Sequence, residues 1–118
     1  MSFDGLVAFY HSSNLDATHE FYHDMIGLPL YKDQGACRIY RVRPGSLLGF
    51  CDHFPKASTE GIIITLLTDD VDGIHDRMSG QPGVEVESAP RENPRFGIYH
   101  FFLRDPDGYK VEIQKFLR

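Results

Sequence analysis

Glu112 is the residue whose type and position most favour chemistry. It is the one carboxylate in the strand-forming run 109–114 (YKVEIQ), where Val111 and Ile113 flank it. Because side chains alternate between the faces of a strand, Glu112 faces either solvent or a polar cavity. In a cavity, a carboxylate can act as a general acid or base, or bind a metal ion.

A second pattern, at residues 19–23, matches the H-E-x-x-H arrangement of zinc metalloproteases. On a helix, however, Phe21 and Tyr22 define the buried face, whereas His19 and His23 flank the polar side. A protease would also need a third ligand and a cleft on that outer side. We therefore reject the protease interpretation, although the i, i+4 histidine pair can still bind a surface zinc or nickel ion.

Composition excludes several classes of function. The 118 residues are enough for one domain, with 42% hydrophobic and 25% charged residues, as in ordinary globular proteins. A net charge of −5 argues against a nucleic-acid or anionic-membrane partner.

The chain shows no apolar leader and no apolar span of about 20 residues, so we expect neither secretion nor membrane insertion. Cys37 and Cys51 lack a C-x-x-C spacing and predict free thiols in a reducing cytoplasm.

The elements that position Glu112 follow a repeated order. The apolar run 5–11 predicts a buried strand, and Asn14 is a candidate N-cap for a helix that ends near Ile26, before Gly27. Leu28 to Lys32, Cys37 to Val42 and Ser46 to Asp52 predict three further strands, separated by turn residues.

The same order then starts again. The β-branched run 61–68 predicts a central strand, and Asp69 or Asp70 caps a helix that Gly80 ends. Three more strands are predicted over 84–87, 97–104 and 109–116, and the Pro-rich stretch 89–95 is the longest candidate loop, a possible rim or lid. We therefore predict a single α+β domain built from two βαβββ modules, about 1–53 and 61–118, joined by a polar linker, 54–60.

Three segments of this pattern resemble the vicinal oxygen chelate superfamily, which includes glyoxalases, bleomycin-resistance proteins and extradiol dioxygenases. The segments are 14–30, with its NLDAT and IGLPL runs, 68–72 (TDDVD), and 102–113, with FLRDPDGY followed by Glu112. The resemblance implies two βαβββ modules that form a curled mixed sheet around a cavity, usually in a homodimer.

The resemblance also implies a divalent metal held by the first, fourth, fifth and eighth strands. Those positions fall on Val7, Gly49, Ile63 and Glu112, of which Glu112 alone can bind a metal. The usual metal site is therefore expected to be lost. A rearranged site would draw on His100, which the family's register points into the cavity beside Glu112, and on His11.

Other residues are candidates for ligand binding. Arg38 and Tyr40 alternate with Ile39, so that one of the two sets faces the cavity. Aromatic strand residues can stack on a planar ligand, although such residues more often belong to the core. The full set of ligand-binding candidates is Phe9, His11, Arg38, Tyr40, Cys51, Phe102 and Gln114.

Two functions follow from the resemblance. The first is a cytoplasmic protein that binds a small molecule in the cavity without a metal cofactor, as in the bleomycin-resistance branch. The second is a lyase or dioxygenase of the glyoxalase or extradiol type, with one Zn, Ni, Fe or Mn ion in a rearranged site. A metal-free variant would use Glu112 and His100 as an acid–base catalytic pair. The sequence leaves open whether the protein is an enzyme.

Overall fold

The computed structural model describes residues 1–117 and divides the chain into two compact units, Met1–Ser58 and Thr59–Arg118. Each unit is α+β, with one mixed β-sheet of its own. No helix in residues 1–117 has the length and apolar character needed to cross a membrane. The elements of the first unit are β1 (Leu6–His11), α1 (Leu15–His19), β2 (Leu30–Asp33), β3 (Cys37–Arg43) and β4 (Ser46–Cys51). Those of the second are β5 (Ile63–Leu67), α2 (Val71–Ser79), β6 (Glu85–Val86), β7 (Arg91–Asn93), β8 (Ile98–Arg104) and β9 (Lys110–Phe116).

The first sheet has the strand order β1-β4-β3-β2, in which β1 and β4 are parallel and the other neighbours are antiparallel. One face of this sheet packs against the first helix, where Tyr22 stacks on Phe50 with 4.6 Å between ring centroids. The prediction that β1 is buried is wrong for two of its apolar side chains. Phe9, on the face opposite the helix, is 45% exposed, and Leu6, at the start of the strand, is 72% exposed.

The first helix begins at the predicted residue. Asn14 is the N-cap, and its side chain accepts hydrogen bonds from the backbone N–H groups of Asp16 and Ala17. After α1 the helix continues as a π-helix over Glu20–Met25, a departure from the single α-helix that the sequence predicts. Gly27, with φ of 97°, ends it, because a left-handed backbone is readily adopted by glycine.

The second sheet has the order β5-β9-β8-β6, with β7 pairing to β8 as well. The prediction of a loop over 89–95 is wrong in its middle, where β7 pairs antiparallel with Ile98 to His100. A tight turn makes this pairing possible. The N–H of Gly97, at φ of 64°, donates to the carbonyl of Asn93, and the Asn93 side chain accepts from the N–H of Arg95.

The turn between β8 and β9 is held by a buried carboxylate. Asp105, 6% exposed, accepts hydrogen bonds at Oδ1 from the backbone N–H groups of Asp107 and Tyr109, each at 2.9 Å. Gly108 supplies the positive φ, 91°, that this turn requires. The turn fixes the β8–β9 register, in which His100 lies opposite Gln114 and Phe102 opposite Glu112.

The prediction of free thiols is wrong, because Cys37 and Cys51 form a disulfide. The antiparallel pairing of β3 with β4 places the two cysteines directly opposite each other, with Cα atoms 4.1 Å apart. A separation of 14 residues along the chain gives no sign of this pairing, which depends on the strand register. The two cysteines therefore give no support for a reducing compartment.

Candidate functional site

A cavity of about 560 Å³ lies on one face of the second sheet. Its walls come from alternate residues of β8 and β9, which share a face because side chains repeat every second residue along a strand. One residue of β5, two of β7 and one of the turn after β7 complete it. The lining is Ile63, Arg91, Asn93, Phe96, Ile98, His100, Phe102, Glu112, Gln114 and Phe116.

The intervening residues of the same strands form the core of the unit. Phe101 and Leu103 on β8 are fully buried, as is Met78 of α2, and the Phe101 ring meets His75 of α2 edge-on at 5.0 Å between centroids. This alternation buries the apolar face under the helix and leaves the polar side chains of β8 and β9 on the cavity face. The carboxylate of Glu112 therefore faces the cavity.

Glu112 is held as a carboxylate by donors on two neighbouring strands. The Thr65 hydroxyl of β5 donates to its Oε1 at 2.7 Å, and His100 Nδ1 of β8 lies 2.6 Å from its Oε2. Burial raises the pKa of Glu112, but hydrogen bonds from Thr65, His100 and Gln114 outweigh that effect. The net pKa of Glu112 is therefore below its ordinary value of 4.5.

His100 is fixed in orientation by the same pair. An ionised carboxylate can only accept hydrogen bonds, so His100 Nδ1 carries the proton and donates a hydrogen bond to Glu112. The imidazole is 6% exposed and meets the Phe102 ring edge-on, at 5.0 Å between centroids. Lys110 Nζ lies 4.2 Å from the centroid of the Phe102 ring, so the aromatic wall is itself held in place. The bond to Glu112 uses Nδ1 and leaves Nε2 for a ligand.

Arg38 and Tyr40 lie on the face of the first sheet that packs against the helix. Arg38 donates to the carbonyl of Leu15 and pairs with Asp16 at 2.9 Å. Tyr40 is fully buried, and its hydroxyl lies 2.9 Å from His19 Nδ1. Burial raises the pKa of Tyr40 to about 12, the main effect on it. Both residues hold the helix on the sheet, so we remove them from the candidate site.

Phe9, His11 and Cys51 lie on the opposite face of the first sheet. The Phe9 ring covers Gly49, and a Cβ on Gly49 would lie 2.5 Å from that ring, so glycine permits this close approach. His11 Nδ1 lies 2.8 Å from the carbonyl oxygen of Phe54, and its Nε2 lies 3.3 Å from Ser13 Oγ. Both ring nitrogens of His11 are therefore engaged within the first unit, and Cys51 is held in the disulfide.

Of the residues that the sequence predicts for the site, the cavity of the second unit brings together His100, Phe102, Glu112 and Gln114. Sequence reasoning missed Thr65, Arg91, Phe96 and Phe116. The sequence contains a signal for Thr65, because it is the polar residue in the β-branched run of β5. It contains no signal for Arg91 and Phe96, since they reach the cavity through the unpredicted strand β7 and its turn.

The fold defines a class, the proteins built from two βαβββ-like units with one mixed sheet in each. The match to a family model extends over residues 7–113, so the chain belongs to the Glyoxalase/Bleomycin resistance protein/Dioxygenase superfamily. No curated protein matches the chain.

Solved structures share this fold. The chain is 26% identical to TnmS3, an antibiotic binding protein from Streptomyces sp. CB03234, with a TM-score of 0.77 and coverage of 98% of this chain and 96% of that one. A family enzyme from Burkholderia phytofirmans PsJN shares 19% identity, TM-score 0.79, over 94% of this chain and 97% of that one. A lactoylglutathione lyase from Agrobacterium tumefaciens shares 23% identity, with a TM-score of 0.73 and coverage of 93% of this chain and 91% of that one.

The residues at the superfamily's metal positions do not fit a divalent ion. Val7, Gly49 and Ile63 carry no ligating atom in their side chains, and both carboxylate oxygens of Glu112 already accept hydrogen bonds. Within residues 1–117, groups of three or more side chains close enough to share an ion are Cys37–Cys51–His53 and His19–His23–Asp24. Neither group contains Glu112 or His100.

The low pKa of Glu112 predicts a pH dependence of stability. The carboxylate is stabilised in the folded state relative to the unfolded state, so its contribution is fully present above pH 4.5 and is lost as the pH falls through the lower, folded pKa. We expect Glu112→Gln to lower the free energy of unfolding at pH 7 by about 1–3 kcal/mol.

Urea unfolding at progressively lower pH, below 4.5, checks this assignment. The free energy of unfolding of Glu112→Gln should fall less than that of the wild type over this range. Glu20→Gln, which removes an exposed carboxylate, controls for the loss of one charge. Parallel pH profiles for the wild type and Glu112→Gln would contradict the assignment of an ionised, hydrogen-bonded Glu112.

Proposed function

We propose that this protein binds a small, planar, largely neutral organic molecule in the cavity of the second unit, without a metal cofactor. The observation that carries the proposal is the buried hydrogen bond between His100 and Glu112 among the apolar side chains of that cavity. It presents an oriented polar atom, His100 Nε2, to a ligand that the aromatic and aliphatic side chains of the lining also contact.

The size and lining of the cavity support a small-molecule ligand. A volume of about 560 Å³ lies within the range of roughly 300–1,000 Å³ for small-molecule sites. Phe96, Phe102 and Phe116 supply aromatic surface, on which a planar ligand can stack. Contact with these rings would bury apolar area of the ligand, and such burial stabilises by about 25 cal/mol per Å².

The tautomer of His100 determines what the ligand must offer. With the proton on Nδ1, the neutral ring has a lone pair on Nε2, which accepts a hydrogen bond from a ligand O–H or N–H. Glu112 already has three hydrogen-bond donors from the protein, so the carboxylate does not need a cationic ligand to be satisfied. A hydroxylated aromatic compound meets both requirements.

The similarity to TnmS3 also supports binding. That protein is described as an antibiotic binding protein, and at 26% identity it covers nearly the whole chain. Sequestration of a small organic compound is the corresponding function here.

Acid–base catalysis by the same pair is the second candidate. The bond between Nδ1 and the carboxylate would orient His100 so that Nε2 could take a proton from a bound ligand, as in hydrolases that pair histidine with a carboxylate. Time-dependent loss of a bound hydroxyl compound, dependent on His100, would favour catalysis over sequestration.

A matched pair of probes tests the binding proposal. 2-Naphthol carries the hydroxyl group, and 2-methoxynaphthalene has the same rings without the donor. The chain contains no Trp, so naphthol fluorescence can be followed with little protein background. We expect 2-naphthol to bind wild-type protein between about twofold and tenfold more tightly, which corresponds to a hydrogen bond worth about 0.5–1.5 kcal/mol.

Two variants separate the polar and apolar contributions. His100→Phe should abolish the preference for 2-naphthol while still binding both probes. Phe96→Ala should weaken the binding of both, whereas Phe3→Ala, the removal of another exposed phenylalanine, should leave the binding unchanged. Equal affinity of the wild type for the two probes, or no saturable binding of either, would refute the proposal.

The proposal also includes a homodimer. Both sheets carry exposed apolar side chains outside the cavity, among them Leu6 and Phe9 of β1 and Leu67 of β5. Pairing with a second copy would remove such side chains from water. Sedimentation equilibrium should give twice the chain mass of 13.5 kDa, and a single 13.5 kDa species at micromolar concentration would exclude the dimer.

A further inference from the structure

The first unit contains a cluster of two cysteines and one histidine that shares no residue with the cavity described above. Cys37 begins β3, Cys51 ends β4, and His53 follows two residues later. One ligating atom from each of the three side chains lies within 4.8 Å of the others. We propose that, when the disulfide is reduced, this cluster binds one zinc ion through the two sulfur atoms and His53 Nδ1.

The sheet register brings the ligands together. Cys37 and Cys51 are directly opposite in the antiparallel β3–β4 ladder, and their sulfurs lie on the same face. His53 Nδ1 lies 3.6 Å from Cys37 Sγ, so its ring nitrogen already points toward the sulfur pair. Strand pairing therefore positions two of the three ligands before any ion arrives, which limits the ordering that binding would require.

The chemistry of the three ligands suits zinc. Thiolate and imidazole are preferred zinc ligands, and two cysteines with one histidine form a set that leaves a fourth position open for water or another ligand. The cysteines are buried at 8% and 2% exposure, whereas His53 is exposed. The exposed imidazole lies at the entry to the buried sulfurs, so the ion has a route from solvent.

His11 is the one further histidine beside the cluster on the same sheet, and it does not belong to the ligand set. It pairs with Cys51 across the parallel β1–β4 ladder. Its two ring nitrogens are engaged with the Phe54 carbonyl and Ser13 Oγ, so it would have to give up one of these bonds to bind the ion. The fourth position therefore remains with solvent.

The disulfide and the zinc site exclude each other. A dithiol reductant attacks one sulfur of the Cys37–Cys51 bond to form a mixed disulfide, and its second thiol then displaces the remaining cysteine. The two electrons pass from the reductant, which becomes a cyclic disulfide, to the cysteine pair, which becomes two thiols. Zinc binding then releases the two thiol protons to solvent, and the ion takes two thiolates and a neutral imidazole.

Cobalt(II) binding to the full chain tests the proposal, because Co²⁺ replaces zinc and reports on its ligands. Protein reduced with dithiothreitol and desalted without oxygen should bind one equivalent. Thiolate-to-cobalt charge-transfer absorption and the intense visible bands of a tetrahedral ion should appear, and zinc should displace the cobalt. The oxidised protein should show neither absorption.

Three variants identify the ligands. Cys37→Ser removes one of the two proposed thiolate ligands, so it should abolish or greatly reduce the thiolate-to-cobalt absorption. His53 is exposed, so His53→Ala does not put folding at risk. This variant should weaken Co²⁺ binding by at least about tenfold, because losing even a hydrogen-bond partner of a metal ligand weakens binding by that much. His23→Ala alters the other histidine cluster of this unit and should leave the absorption unchanged.

Several results would overturn the proposal. These are a reduced protein with two titratable thiols and no thiolate–cobalt absorption, a disulfide that dithiothreitol leaves intact, and a His53→Ala variant that binds Co²⁺ as tightly as the wild type. Far-ultraviolet circular dichroism of each variant confirms that a lost signal does not come from unfolding.

Discussion

The register between β8 and β9 is the constraint on which the candidate site depends. The buried Asp105 carboxylate holds the turn between these strands, and the turn sets His100 opposite Gln114. Glu112 is then the diagonal neighbour of His100 on the same face, a distance that long side chains can bridge. A shift of one residue would send the polar side chains into the core and the apolar ones into the cavity.

This constraint also explains how a charged group is tolerated in a largely apolar cavity. Transfer of an unpaired carboxylate from water into a protein interior is strongly unfavourable, and burial does raise the pKa of Glu112. Three donors on β5, β8 and β9 reverse the effect. One of these donors is His100 Nδ1, and its bond to Glu112 fixes the orientation of Nε2. The same interactions therefore offset the cost of burying the charge and orient an acceptor atom for a ligand. Polar groups satisfied in this way also specify one arrangement of the site.

The sequence predicted the regular elements well where local chemistry determines them. The Asn14 cap and the Gly27 stop depend on near neighbours, and each is present at the predicted residue. His100, Phe102, Glu112 and Gln114 were predicted for the site from a resemblance and from strand alternation. All four line one cavity.

The remaining features depend on contacts between residues distant in sequence. The Cys37–Cys51 disulfide follows from the β3–β4 register, and the side of the sheet taken by Arg38 and Tyr40 follows from where the first helix packs. The strand β7 depends on pairing with β8, since its own residues, Arg91 to Asn93, have no strand propensity that a sequence pattern reveals. Thr65 could be placed beside Glu112 only once the parallel β5–β9 pairing was known.

The central claim is that Glu112 holds His100 with its proton on Nδ1, so that Nε2 meets the ligand. A long-range ¹H–¹⁵N correlation spectrum of the histidine side chains measures this directly, at a pH high enough to keep the imidazoles neutral. We predict that His100 has a protonated Nδ1 and a lone pair on Nε2, and that the Nε2 resonance moves when 2-naphthol is added. A proton on Nε2, or an Nε2 resonance that stays fixed at saturating naphthol, would contradict it.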